Sequence, residues 1–149
     1  MFTQIATGTG LLTLNIVVAA LAAFWLELAF RWLHPWLLRP PQRPRLLLLL
    51  IGVGLWVLAV ITAGVWIWAL AYRMLGALPD LETAVYFSLV SFTTLGFGDV
   101  ILPEGWRLLA GMEAANGFLS FGLLTALLVE ALRQVRLSQI ETRRRAQDQ

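Results

Sequence analysis

The residues best suited to chemistry are clustered in Thr93-Thr94-Leu95-Gly96-Phe97-Gly98-Asp99. Glycine occupies alternate positions there, and only glycine readily takes positive φ, so consecutive carbonyls can be turned the same way. A row of oxygens results, suited to a cation that is losing its water. The preceding Pro79-Asp80-Leu81-Glu82-Thr83 reads as a helix start: Asp80 can cap free amides and Glu82 sits at the positive end of the dipole. That helix should run to about Phe92, and its partially negative C-terminal end would face the same cation. Asp99, Glu104, Asp80 and Glu82 would place a negative field at the mouth, raising the local cation concentration. Simple capping accounts equally well for Asp80 and Glu82. The plain alternative for the whole segment is a glycine-rich turn in water.

Other chemistries find few residues to use. Cysteine is absent and there is one histidine, which excludes disulfides, thiolate sites, cysteine nucleophiles and a histidine metal cluster. No enzyme activity is expected. The net charge of +2 is small, its positive residues are all Arg, and no aromatic-basic groove suggests nucleic acid.

The elements that must position the glycine segment are apolar. Of 149 residues, 59% are hydrophobic and 13% charged, where a soluble domain carries about 25% charged residues. Lipid is therefore the expected solvent. Leu11 to Trp32 is long enough to span a bilayer, with Glu27 and Arg31 a turn apart near its end. The residues before Leu11 lack the positive charge of a signal peptide, so cleavage is not expected. Leu46 to Tyr72 carries no charge and would be roughly 40 Å long as a helix. Trp106 to Leu132 is apolar except for Arg107, Glu113 and Glu130. Leu78 to Pro103 is too polar and glycine-broken to cross, yet too apolar for a solvated loop. Non-helical backbone at membrane depth is tolerated only where protein surrounds it or where it lines water, so a re-entrant pore segment is expected.

Arginine sets the orientation, since positive residues accumulate on the cytoplasmic side. Arg31, Arg39, Arg43 and Arg45 flank the first connection, and Arg133, Arg136, Arg143, Arg144 and Arg145 follow the last span; Arg73 and Arg107 are the exceptions. The N-terminus should face outward and the C-terminus the cytoplasm. Trp32 and Trp36 at one boundary, and Trp66, Trp68, Tyr72 and Trp106 at the other, fit interfacial aromatic belts. His34 to Arg45, with Pro35, Pro40, Pro41 and Pro44, reads as a stiff linker without helix. Ala19, Ala23, Ala59 and Ala63 have the spacing to pack the first two helices.

At Thr94-Leu95-Gly96-Phe97-Gly98-Asp99 the chain resembles the potassium-channel family, whose filter reads Thr-Val-Gly-Tyr-Gly-Asp. A second block, Asn116-Gly117-Phe118-Leu119-Ser120-Phe121-Gly122-Leu123-Leu124-Thr125-Ala126, is similar to the inner helix of small bacterial potassium channels, Gly-Ile-Thr-Ser-Phe-Gly-Leu-Val-Thr-Ala. The resemblance covers about Leu46 to Leu132. It implies potassium ions held by the backbone oxygens of Thr94, Leu95, Gly96 and Phe97 with the Thr94 hydroxyl, and cavity-lining positions at Phe118, Phe121 and Thr125. It also implies a gating hinge at Gly117; close packing is the alternative there and the better reading of Gly122. The chain departs from two-helix relatives in its first span, and at Val90, where some carry a Glu that bonds the filter Asp. No span has Arg at every third position, which argues against a voltage sensor of the usual kind.

Glu113 is costly inside a membrane and needs a partner. The expectation is a hydrogen bond behind the filter, to the pore helix at Ser88 or Ser91; the alternative is an outer-leaflet carboxylate reaching water. Arg143-Arg144-Arg145 would meet anionic lipid or simply be solvated.

The expected fold class is an all-α membrane protein of three transmembrane helices plus a re-entrant pore helix and filter, assembled as a fourfold tetramer. Residues 1–45 would form the first helix and linker. Residues 46–136 would be a pore module (outer helix 46–72, pore helix 80–92, filter 94–99, inner helix 106–132), and 137–149 a charged tail. The partners are the lipid bilayer, potassium ions and three further copies, with no nucleic acid and no cofactor beyond the permeant ion. A bacterial inner, and so plasma, membrane fits a chain rich in Arg and Leu without Lys. A non-conducting scaffold, a weakly selective cation channel and a cation-transporter subunit are the rivals, the last disfavoured because such transporters join four pore loops in one chain. With one pore loop per chain, chemical crosslinking of the purified protein should yield a limiting species of four chain masses; a limit at two or three would contradict the fourfold expectation.

Overall fold

The computed structural model describes residues 1–37 and 42–147. Its elements are α1 (Phe2–Leu37), α2 (Gln42–Met74), α3 (Leu81–Phe92), a 3-10 turn at Glu104–Trp106, and α4 (Arg107–Gln147). No strand occurs among the described residues. Three stretches are long and apolar enough to cross a membrane: Phe2–Leu33, Leu47–Met74 and Glu104–Glu130. All three helices outrun the apolar stretches that announce them in the sequence.

Helix α2 ends because Gly76, at φ +64°, leaves the helical region. The Ala77 amide donates to the Tyr72 carbonyl and the Gly76 amide to the Arg73 carbonyl. This double bond pattern around a left-handed residue satisfies two carbonyls that a helix end otherwise leaves open. The short connection then delivers Asp80, whose carboxylate accepts from the Thr83 amide and the Thr83 hydroxyl, both at 2.8 Å, and starts α3. Those bonds, the amide first, hold the Asp80 carboxyl below the usual carboxylate range.

The core lies behind α3. Val65, Trp68, Ala69 and Tyr72 of α2 meet Ala84, Phe87 and Phe92 of α3 and Leu109 of α4, with Leu102 closing the far side. Tyr72 stacks at a tilt on Trp68 and edge-on against Phe87. Trp68 and Tyr72 are thus fully buried, where the sequence suggested an aromatic belt. The reason is that α3 folds back over the end of α2, which a lone hydrophobic helix does not reveal. Trp66, on the other side of α2, remains exposed.

Helix α1 fills the seam between α2 and α4. Gln4 Oε1 accepts from the Leu108 amide at 3.1 Å, which satisfies one of the free donors at the start of α4. Gly8 lies against Leu109 and Met112, and Gly64 of α2 faces the Asn15 carboxamide and the Phe92 ring. Because Gln4 and then Gly8 meet successively later residues of α4, α1 and α4 run parallel and α2 runs against both. Of the four alanines expected to pack the first two helices, Ala19 is buried, Ala23 and Ala63 are half-buried, and Ala59 is exposed; Gly64 lies against Asn15 of α1.

Two further expectations are corrected. Helix reaches Leu37 and resumes at Gln42, so Pro35 and Pro44 of the expected linker stand in helix; Arg39, Pro40 and Pro41 lie outside the described residues. Pro44 falls in the first turn of α2, where its missing amide has no partner to lose, while Pro35 gives up one bond near the end of α1. The expected tail from residue 137 continues α4 to Gln147, since nothing between Leu132 and Gln147 breaks a helix.

Gly64→Leu should force the Asn15 carboxamide and the Phe92 ring aside. Overpacking of this kind costs about 1–3 kcal/mol, read as a drop of several degrees in the thermal midpoint of the detergent-purified protein by circular dichroism.

Candidate ion-conduction site

Helix α3 ends at Phe92 in the same double bond pattern that closes α2. The Thr94 amide donates to the Ser91 carbonyl at 2.9 Å and the Leu95 amide to the Val90 carbonyl at 3.0 Å. The left-handed position that Gly76 fills in the first case is filled here by Thr94, at φ +62°. A β-branched residue in that region costs roughly 1–2 kcal/mol. The strain places a hydroxyl at the first position of the loop, where glycine would have left none.

The Val90 carbonyl also accepts the Gly96 amide, at 3.3 Å. Two consecutive peptides, 94–95 and 95–96, therefore aim their N–H groups back at α3. In a trans peptide the C=O points opposite to the N–H, so the carbonyls of Thr94 and Leu95 point away from α3 together. Gly96 and Gly98 follow at φ +58° and +77°, which makes positive φ recur at residues 94, 96 and 98. Alternation was legible from the two glycines; the participation of Thr94 was not. Residues 94–99 are all exposed in the isolated chain, including the side chains of Leu95 and Phe97.

Asp99 closes the segment. The Tyr86 hydroxyl donates to its carboxylate at 2.6 Å, and this bond is the main reason the Asp99 carboxyl sits below the usual range. The bond ties the end of the loop to the second turn of α3. Sequence reasoning noted that Val90 cannot make such a bond but did not find Tyr86, which lies thirteen residues from Asp99 and reaches it only because the loop folds back. Glu82 and Glu104 are exposed, and Glu104 pairs with Arg107 at 3.5 Å.

Behind α3, Glu113 is fully buried. Its carboxyl oxygens lie 2.5 Å from Ser88 Oγ and 2.7 Å from the Tyr72 hydroxyl. Ser88, not Ser91, is the contact, and the outer-leaflet alternative of a carboxyl in water does not occur. Tyr72 is a partner that the sequence did not suggest. One turn on, Gly117 lies so close to the Phe92 carbonyl that a Cβ would overlap it. The close approach expected at Gly122 is absent in the isolated chain, and Gly117 makes it instead. Phe118 and Thr125 are exposed, while Phe121 is in tilted contact with Phe92, ring centroids 6.5 Å apart. Among the described residues no cluster of His, Cys, Asp or Glu could hold a metal ion.

A protein-family model described as an ion channel matches residues 55–134. That is more than half of the chain, and the chain belongs to this family of ion channels. The match takes in most of α2, all of α3, the loop and α4 as far as Gln134, and leaves α1 outside. Comparison with curated proteins and with solved structures found no match. The protein is accordingly a membrane ion channel in contact with lipid and ions.

The Tyr86–Asp99 bond makes a pH prediction. A carboxylate with a depressed value contributes stability that is complete above its ordinary value of about 4 and is lost as pH falls through the folded value. Tyr86→Phe should raise the Asp99 titration midpoint toward that ordinary value, followed by carboxyl-carbon NMR in detergent. An unchanged midpoint would mean that the bond is not formed in solution.

Proposed function

We propose that this ion channel is a homotetramer that conducts potassium selectively. The observation that carries the reading is the common direction of the Thr94 and Leu95 carbonyls, set by two amides that share the Val90 oxygen. Four copies about one axis would stack rings of oxygens from Thr94, Leu95, Gly96 and Phe97, with the Thr94 hydroxyl below them, in place of an ion's water shell. Helix α3 is the pore helix. Phe92 abuts Gly117, ten residues into α4 and so about 15 Å from its start, or roughly half the depth of a hydrocarbon core about 30 Å thick. That depth supports a re-entrant segment with its C-terminal dipole at the membrane centre.

In this reading residues 46–136 are the pore module, with residues 94–99 as its filter. Leu95 and Phe97 turn outward and fix the filter's diameter by packing. Phe118, Phe121 and Thr125 line the cavity below, and Gly117 is the hinge as well as the point of contact with the pore helix. Glu113 supports the filter from behind. The parallel run of α1 and α4 fits the arginine distribution, with the N-terminus outside, the C-terminus cytoplasmic and the chain in a bacterial inner membrane. Asp99 adds negative charge beside the outer end of the filter.

Liposomes carrying the assembled protein test the proposal. Rubidium or potassium uptake blocked by barium, with little sodium uptake, is the expected result; equal sodium flux would make it a weakly selective cation channel, and silence from a verified tetramer would make it a scaffold. Thr94→Gly gives a sharper check. It should relieve the left-handed strain and raise stability by about 1 kcal/mol, while lowering potassium flux through loss of the hydroxyl, so that stability and conduction move in opposite directions.

A further inference from the structure

The hydrogen bonds at Glu113 do not balance for an ionised carboxylate. Ser88 Oγ is 2.8 Å from the Val65 carbonyl oxygen and 2.5 Å from Glu113 Oε1. A serine hydroxyl carries one proton and donates once. A carbonyl has no proton to give, so Ser88 must donate to Val65, and the proton on the Ser88–Glu113 contact must come from the carboxyl. The Tyr72 hydroxyl donates to the other carboxyl oxygen at 2.7 Å. Written this way, every proton is used once and no charge is buried.

The surroundings agree. From α2 the site is faced by Tyr72 and, a turn away, Trp68; from α3 by Ser88; Leu11 and Leu12 of α1 pack on the adjoining core; on α4 the neighbouring turns bring Leu109 and Asn116. Tyr72 is the one titratable group among these. The nearest arginines in sequence, Arg73 and Arg107, are exposed, and Arg107 engages the Leu102 carbonyl and Glu104. Trp68 Nε1 and Asn116 Nδ2 are buried donors without a partner, so neither is recruited to the carboxyl as a buried charge would require. A carboxylate in such a place takes up a proton instead of staying charged and alone.

We infer that Glu113 works as a neutral carboxylic acid that donates to Ser88, and that this relay, Glu113 to Ser88 to the Val65 carbonyl, locks α4 and α2 to the back of α3. Glu113 is a positioning residue; its effect on conduction rests on the filter reading above, whereas its protonation does not. When base removes the carboxyl proton, the Ser88 proton turns to the carboxylate, Val65 is released and an unpaired charge remains behind the filter. The lock is therefore whole at acid and neutral pH and is lost as pH rises.

Difference infrared spectroscopy of the full-length protein in liposomes tests the proton directly. At neutral pH a protonated-carboxyl stretch is expected that is missing in Glu113→Gln, moves in Ser88→Ala because the acid has lost its acceptor, and fades at alkaline pH. Flux gives the second readout. Glu113→Leu should lower it about tenfold or more through loss of two buried hydrogen bonds. Glu113→Gln, whose amide donates to Ser88 and accepts from Tyr72, should restore most of it and abolish the alkaline fall seen in wild type. Absence of the carboxyl band at neutral pH, or its persistence unchanged in Ser88→Ala, would overturn the inference whether or not the protein conducts. So would a Glu113→Gln tetramer as impaired as Glu113→Leu.

Discussion

A backbone amide released at a helix end needs a new partner, and the end of α3 is where this constraint bears hardest. The helix must stop, the chain must reverse, and the freed amides must find partners without a strand to supply them. The Val90 carbonyl resolves much of this by taking two amides, those of Leu95 and Gly96. Once those donors face α3, the opposite edge of each peptide is an oxygen facing away from protein. The acceptor row is thus a by-product of terminating a helix in a place where donors cannot be left free. Satisfying the amides leaves the carbonyls as the groups still open to a ligand.

Such a row keeps its geometry only if its base does not move. Helix α3 has twelve residues, too few to be stable alone, and it borrows rigidity from what surrounds it. Asp80 fixes its first turn, Tyr86 fastens the returning loop to its second turn through Asp99, and Glu113 joins Ser88 to Tyr72 across three helices. Gly117 lets α4 approach until it touches the Phe92 carbonyl. These contacts come from the turn before α3, the returning loop, α2 and α4, so a displacement of any one helix is felt at the loop.

The sequence displayed the parts that depend on local pattern. Three apolar runs announced three long helices, Asp80 announced the start of α3, and Gly96 and Gly98 announced an alternating backbone. What it hid depended on the third dimension. Tyr72 and Trp68 look alike as belt or core until α3 is seen to cover them. Tyr86 and Asp99 meet only because the loop doubles back. Thr94 carries no mark of a left-handed residue, since its φ is imposed by the helix end it terminates. Glu113 stood out as a costly charge, and Ser88 was among its expected partners, but Tyr72 was not. The prolines misled about the connection, because a proline in a first or last turn sacrifices little.

Helix α4 has mechanical leverage. It is one uninterrupted element of 41 residues, and from Gly117 to Gln147 it extends about 45 Å. A tilt of about 10° about Gly117 would sweep its far end through roughly 8 Å, while the Phe92 contact at the pivot barely shifts. Forces applied at the distal end would act with a long moment arm on the point where α4 touches the end of α3.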